Sequence, residues 1–159
     1  MTGFFRGFDP AFDEDSVLLV LGSFPSVKSR QEGFYYGNPQ NRFWKTVCGY
    51  FGEETPETVA EKKAFLKRRH IALWDVVTAC EIEGSQDSSI RREEVADLPS
   101  LLSGSNIKRI FCNGGKSFEL LEREFPQFLR ITQKLPSTSP ANPRFSVEVW
   151  HQAFNEVFL

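Results

Sequence analysis

Leu21-Gly22-Ser23-Phe24-Pro25-Ser26, followed shortly by Tyr35-Tyr36-Gly37-Asn38-Pro39-Gln40-Asn41-Arg42-Phe43-Trp44, decides the fold. Ser16 to Leu21 reads as a buried strand, with Val17 to Leu21 an unbroken apolar run of the kind that a parallel sheet covers on both faces. At Gly22 the run breaks into a long loop rich in Gly, Pro, aromatics and amides, and the chain restarts as a helix near Asn41. Open α/β sheets bind ligands at loops that leave the C-terminal ends of strands. Two tyrosines can stack on a planar ring and two asparagines can read its edge. That set suits a nucleobase better than a sugar, a metal or an acyl group. On these residues alone the bland alternative stays open: a structural loop whose aromatics close over the core.

Outward from this stretch, strands are expected at Val17–Leu21, Ile71–Val77, Arg109–Cys112 and Phe128–Leu135. Helices are expected between them. Asn41–Phe51 would place Phe43, Trp44, Val47, Cys48 and Phe51 on one face, and Glu57–Arg69 ends in the basic turn Lys67-Arg68-Arg69. Glu94–Leu102 stops at Gly104, and Gly115–Phe125 stops before Pro126. Val147–Phe158 opens after Ser146 as N-cap and would bury Val147, Trp150, Phe154, Val157 and Phe158. Alternating strands and helices predict an α/β three-layer sandwich. Its central, mostly parallel four-stranded sheet is flanked by helices, with the functional loops at one end. No repeat or linker divides the chain, so residues 1–159 are read as one domain.

With 16 Phe and 40% apolar residues, the 159-residue chain can fill a core. A net charge of -2 and a pI of about 5.8 weigh mildly against a nucleic-acid partner, although a local basic face matters more than the total. No apolar run approaches the ~20 residues that span a membrane. Met1 to Asp15 carries acids rather than a basic-then-apolar leader pattern. The expectation is a cytoplasmic protein. Cys48, Cys80 and Cys112 lie far apart in apolar surroundings and read as buried free thiols, and His70 and His151 are isolated. No metal or other cofactor is expected.

Three further stretches could carry chemistry. Leu135-Pro136-Ser137-Thr138-Ser139-Pro140-Ala141-Asn142 is a stiff, hydroxyl-rich turn suited to phosphate oxygens, or simply a rigid surface turn. Asn113-Gly114-Gly115-Lys116-Ser117 looks like the end of a P-loop, but the first glycine of that pattern is Ile110 here. A glycine turn into a helix remains, with Asn113 facing the same pocket as the opening loop. Asp75 is the one acid inside the apolar run Ile71–Val77. A buried charge is costly unless paired, so Asp75 is expected at the strand end or bonded to loop groups, in a structural role. The polar stretch Glu83–Ile90 reads as a loop leading to Arg91-Arg92.

Together these loops resemble the uracil-DNA glycosylase superfamily. Gly22-Ser23-Phe24-Pro25 is similar to its G-x-[ND]-P loop. Asn38 to Trp44 is similar to the N-R-F-W helix start of its mismatch-specific branch, and Pro136 to Asn142 to the loop before its final helix. The resemblance runs from Val17 to Phe158. Phe24 stands where most members carry the Asp or Asn that positions water. The chain is therefore most similar to the hypoxanthine-DNA (deoxyinosine) glycosylase family, whose members also lack that residue. Ser137 replaces the His or Asn that supports the leaving base, and Ala141 replaces the Leu wedge, a space that Asn142 or Arg144 could fill instead.

The resemblance implies a monomeric, metal-free glycosylase acting on DNA that contains a deaminated base, hypoxanthine first and uracil second. It implies Asn41 as the catalytic amide. Tyr36, with Tyr35 beside it, would stack on the base. Backbone N–H groups of Ser23 and Phe24 and the Asn113 amide would face the base edge. Ser137, Thr138 and Ser139 would hold phosphates, helped by Arg42, Lys116, Asn142 and Arg144. Two rivals are a non-catalytic nucleotide- or DNA-binding module, favoured by Phe24 and the acidic pI, and an NTPase leaning on Gly115-Lys116-Ser117.

Overall fold

A computed structural model describes residues 2–159. Its centre is a four-stranded parallel sheet in the order β3-β2-β6-β7, formed by β2 (Leu18–Gly22), β3 (Ile71–Asp75), β6 (Arg109–Asn113) and β7 (Thr132–Leu135). The side chains of β2 alternate between two cores. Leu18 and Val20 face a cluster with Phe43, Trp44, Phe65, Trp150 and Phe154, drawn from α2 (Phe43–Tyr50), α3 (Val59–Arg69) and α6 (Val147–Phe158). Leu19 and Leu21 face Leu98, Leu101, Leu120 and Leu121 of α4 (Leu98–Ser103) and α5 (Gly115–Glu124). The three layers expected from the sequence are therefore present.

A second, antiparallel sheet adds to that expectation. It has the order β1-β4-β5, from β1 (Thr2–Arg6), β4 (Val77–Glu83) and β5 (Arg91–Val95). The apolar run Ile71–Val77 is thus two strands meeting at Val76, where the Val76 and Val77 N–H groups donate to the carbonyls of Gly22 and Ser23. This junction carries the chain from one sheet to the other while fixing the loop after β2. The expected helix Glu94–Leu102 is corrected: Glu94 and Val95 belong to β5, and the helix begins only at Leu98, where Asp97 accepts from the Ser100 N–H. The expected strand Phe128–Leu135 shortens to Thr132–Leu135, because Pro126–Ile131 forms 3-10 turns. In α6 the Ser146 cap and buried Trp150 and Phe154 match the expectation, whereas Val147 is exposed. A short helix missed by periodicity, α1 (Val27–Glu32), interrupts the opening loop, capped by Ser26 and ended by Gly33 in the left-handed region. All three cysteines are buried free thiols.

β2 connects first to β3 on one side, and the chain later returns to β6 on the other. Where a sheet changes direction in this way, the loops at the strand ends diverge and leave a crevice. Gly22 pairs with Asp75, and Asn113 with Leu135, so the C-terminal ends of all four strands lie level beneath it.

Candidate active site

The crevice is a cavity of about 870 Å³. Gly22, Asp75 and Asn113 form its floor at the strand ends. Its walls are the loop after β2, the β4–β5 connection with Asp87, and the turn from Ser137 to Asn142. Ser23, Phe24, Tyr35, Tyr36, Asn41, Asn113, Ser137, Thr138, Ser139 and Asn142 all line it, so the fold gathers ten of the thirteen residues singled out above. Arg42, Lys116 and Arg144 lie outside the lining.

Local bonds set what each side chain can offer. Asn41 Oδ1 accepts the Phe43 N–H at 2.9 Å, which fixes the amide at the start of α2. A carbonyl oxygen keeps a second lone pair in such a cap. Tyr36 has φ 54°, in the left-handed region, and its ring stacks on Phe43 at 4.3 Å between centroids. Tyr35 is turned into the core, its hydroxyl donating to the Asp9 carbonyl at 2.8 Å. Phe24 is buried, and the Arg30 guanidinium lies between it and Phe5. Arg30 also donates to the carbonyls of Pro25 and Gly84, tying the opening loop to the antiparallel sheet. Nothing in the sequence pattern singled out Arg30.

The turn before α6 is held from two sides. On one, Asn113 accepts the Thr138 N–H and donates to the Thr138 hydroxyl, both at 2.9 Å, and Thr138 is fully buried. On the other, Arg42 donates to the carbonyls of Thr138, Ser139 and Asn142 and stacks on Phe145. Asn142 is itself spent on the Ser137 carbonyl and the Arg144 N–H. Asn113, Thr138, Arg42 and Asn142 thus build the turn from inside. The hydroxyls of Ser137 and Ser139 accept from N–H groups within it and keep their own hydrogens to donate outward. Gly114, at φ 98°, lets this turn come close: a Cβ there would lie 3.1 Å from the Ser137 Cβ. Ser117 Oγ donates to the Leu21 carbonyl, so the serine of the glycine turn joins α5 to β2. Lys116 lies near Glu119, and Arg144 is exposed beyond Asn142.

Two polar atoms on the floor stand apart. Asp75 Oδ2 and the Tyr36 hydroxyl are buried without a hydrogen-bond partner among the described residues. A Cβ at Gly22 would run into Asp75 Oδ1 and lie 3.2 Å from the Tyr36 hydroxyl, so the missing side chain of Gly22 gives both groups their room. Burial, reinforced by the charge of Asp87, pushes the Asp75 carboxyl up to about 8, and burial also raises the Tyr36 hydroxyl. Asp87 belongs to a solvent-open residue, yet its carboxyl sits against the cavity wall and accepts from the Ser23 hydroxyl at 2.8 Å. Crowding raises it too, against the Ser23 bond and the charge of Lys116. Of the two expected placements Asp75 takes the first, the strand end. Among the described residues no cluster of three or more His, Cys, Asp or Glu is placed to hold a metal, and no helix is long and apolar enough to cross a membrane.

Comparisons with known proteins agree with this geometry. The family model of the uracil DNA glycosylase superfamily matches residues 10–156. A Methanosarcina acetivorans protein named hypoxanthine DNA glycosylase is 42% identical over 146 residues, covering 89% of this chain and 90% of that protein. A Methanosarcina barkeri protein of the same name is 36% identical over 145 residues, covering 87% and 89%. A solution NMR structure from Methanosarcina acetivorans, described as a uracil DNA glycosylase candidate, superposes with a TM-score of 0.84 at 38% identity, over 97% of this chain and 98% of that one. With the loops that carried the resemblance now lining one crevice, the chain belongs to the uracil DNA glycosylase superfamily.

Proposed function

We propose that this protein is a DNA glycosylase, which flips a deaminated base out of DNA and hydrolyses its N-glycosidic bond, with hypoxanthine the first substrate and uracil the second. The observation that carries the reading is the single cavity at the strand ends, lined by all three family loops, together with relatives named for hypoxanthine that match nearly the whole chain. Residues 1–159 act as one domain in this reading, a cytoplasmic monomer whose partner is DNA containing a deaminated base.

The flipped nucleotide enters between the opening loop and the turn from Ser137 to Asn142, at a cost of a few kcal/mol that is least for a badly paired base. Ser137 and Ser139 donate to its phosphates while Thr138 stays inside as a latch. Tyr36 supplies an aromatic surface for the base. As the bond from C1′ to the base breaks, the sugar gains positive charge, and the free lone pair of Asn41 Oδ1 orients a water toward it. In the loops, no backbone hydrogen bond among the described residues uses the N–H of Ser23 or Phe24, which leaves both free to face negative charge on the departing base. Lys116 and Arg144, outside the cavity, are placed to meet more distant phosphates.

A non-catalytic binding module is the second reading, favoured by Phe24 in place of the water-positioning acid and by the capping bond that engages Asn41. A glycosylase panel on duplexes carrying hypoxanthine, uracil, xanthine and mismatched thymine separates the two. The enzyme leaves an alkali-labile site in the hypoxanthine strand. The module binds the duplex and leaves it intact.

A further inference from the structure

Resting on the glycosylase reading, we propose that Asp75 is a further catalytic residue, an acid that donates its proton to the departing purine, and that Asp87 is the positioning residue behind it. The geometry is specific to the floor. Asp75 ends β3, buried, with Oδ2 lacking a hydrogen-bond partner among the described residues and Oδ1 packed over the bare Cα of Gly22. Asp75 is among the residues lining the cavity, and a buried, unpartnered carboxyl oxygen beside it is costly unless a ligand or a small shift of the loops completes it. Asp87 flanks the same turn, bonded to Ser23, the residue after Gly22. Two carboxyls therefore bracket Gly22-Ser23.

Among the described residues the groups around Asp75 supply no counter-charge. Tyr35 and Tyr36 face it from the opening loop, Asp87 from the β4–β5 connection, and Cys112 of β6 adjoins Tyr36. Lys116 of α5 acts on Asp87 rather than on Asp75. A carboxyl buried beside a like charge stays protonated at neutral pH and can donate. The chemistry calls for such a donor. When C1′–N9 breaks, the electron pair leaves with the purine. The Asp75 O–H gives its proton to a purine ring nitrogen or to the exocyclic oxygen, leaving a carboxylate. Water adds at C1′, and the proton it loses restores Asp75 through solvent. Ser137, whose hydroxyl hydrogen is free, is the weaker acid for this step, since an alcohol gives up its proton far less readily than a carboxyl.

The test is single-turnover excision of hypoxanthine from pH 5 to 10 by wild type, Asp75→Asn and Asp87→Asn, with ¹³C NMR titration of the Asp75 carboxyl in the free protein. Asparagine keeps the shape of Asp75 and circular dichroism checks its fold. The wild-type rate falls above pH 8, by about tenfold per unit as the acid is lost. Asp75→Asn is at least about tenfold slower at pH 7 and loses that descending limb. Asp87→Asn moves the limb to lower pH, because removing the like charge eases ionisation of Asp75. The free carboxyl titrates near 8. A limb that persists in Asp75→Asn, or a carboxyl titrating in the ordinary carboxylate range, overturns the assignment while leaving the glycosylase reading standing. Failure of wild type to excise any deaminated base at any pH overturns both.

Discussion

Asn41, Tyr36 and Asp75 are each held in ways that their neighbours dictate, and each makes a separate prediction. Asn41→Ala lowers single-turnover excision about 10²-fold, the scale of a lost positioning or electrostatic group, while DNA affinity measured by fluorescence anisotropy changes little. Equal turnover would reduce Asn41 to its capping bond with Phe43. Tyr36→Phe removes a buried hydroxyl that has no hydrogen-bond partner among the described residues, so stability from urea titration holds steady or rises, by up to about 1 kcal/mol, and stacking survives. Tyr36→Ala, which removes the ring, lowers excision far more. Asp75 also shapes stability. Its carboxyl is raised to about 8 in the fold from about 3.9 in an unfolded chain, so between those values the folded state holds the extra proton. Wild type therefore loses stability relative to Asp75→Asn as pH rises from 4 to 8, by at most about 1.4 kcal/mol per unit, and the difference levels off above 8. Urea titrations at several pH values measure it. From the sequence, an acid in an apolar strand points only to a strand end. That its Oδ2 has no partner among the described residues depends on which loops converge there, and the chain order of Asp75 and Asp87 does not disclose it.

At the scale of elements, the turn before α6 is a part whose shape is set from outside itself. Arg42, expected on phosphates, instead bonds three carbonyls of that turn. Arg42→Ala therefore loosens the turn, lowering excision at least about tenfold and stability by about 1–3 kcal/mol. Arg42→Lys restores little, since an ammonium lacks the planar fork that spans several acceptors. A full rescue by lysine, seen in excision rate and thermal midpoint, would return Arg42 to a simple charge. The parallel strands were legible because burial on both faces leaves unbroken apolar runs such as Leu18–Leu21. β5 was not, because Arg91-Arg92-Glu93-Glu94-Val95 is a charged edge strand whose composition serves a helix equally well. α1 is a six-residue insertion too short to establish a period.

For the whole molecule, the topology gathers the strand ends, and the net charge of -2 requires that DNA be met by local groups rather than by overall field. Ala141, exposed at the tip of the turn between Pro140 and Pro143, cannot fill the space of a flipped base. Wild type therefore acts faster on poorly paired lesions, and Ala141→Leu narrows that gap. Should Arg144 already fill the space, Ala141→Leu slows every substrate and Arg144→Ala creates the dependence on pairing, as excision across duplexes of graded stability would reveal. The family loops were readable because each is a short run with fixed chemistry. Their convergence on one floor had to come from the strand order. The most direct test of that convergence is excision from a duplex with one deoxyinosine, in buffer containing EDTA, scored by alkaline cleavage. The account predicts a strand break at the inosine position with wild-type protein, undiminished by EDTA and reduced about 10²-fold by Asn41→Ala. An intact strand after prolonged incubation, with the protein bound to the duplex, would contradict it.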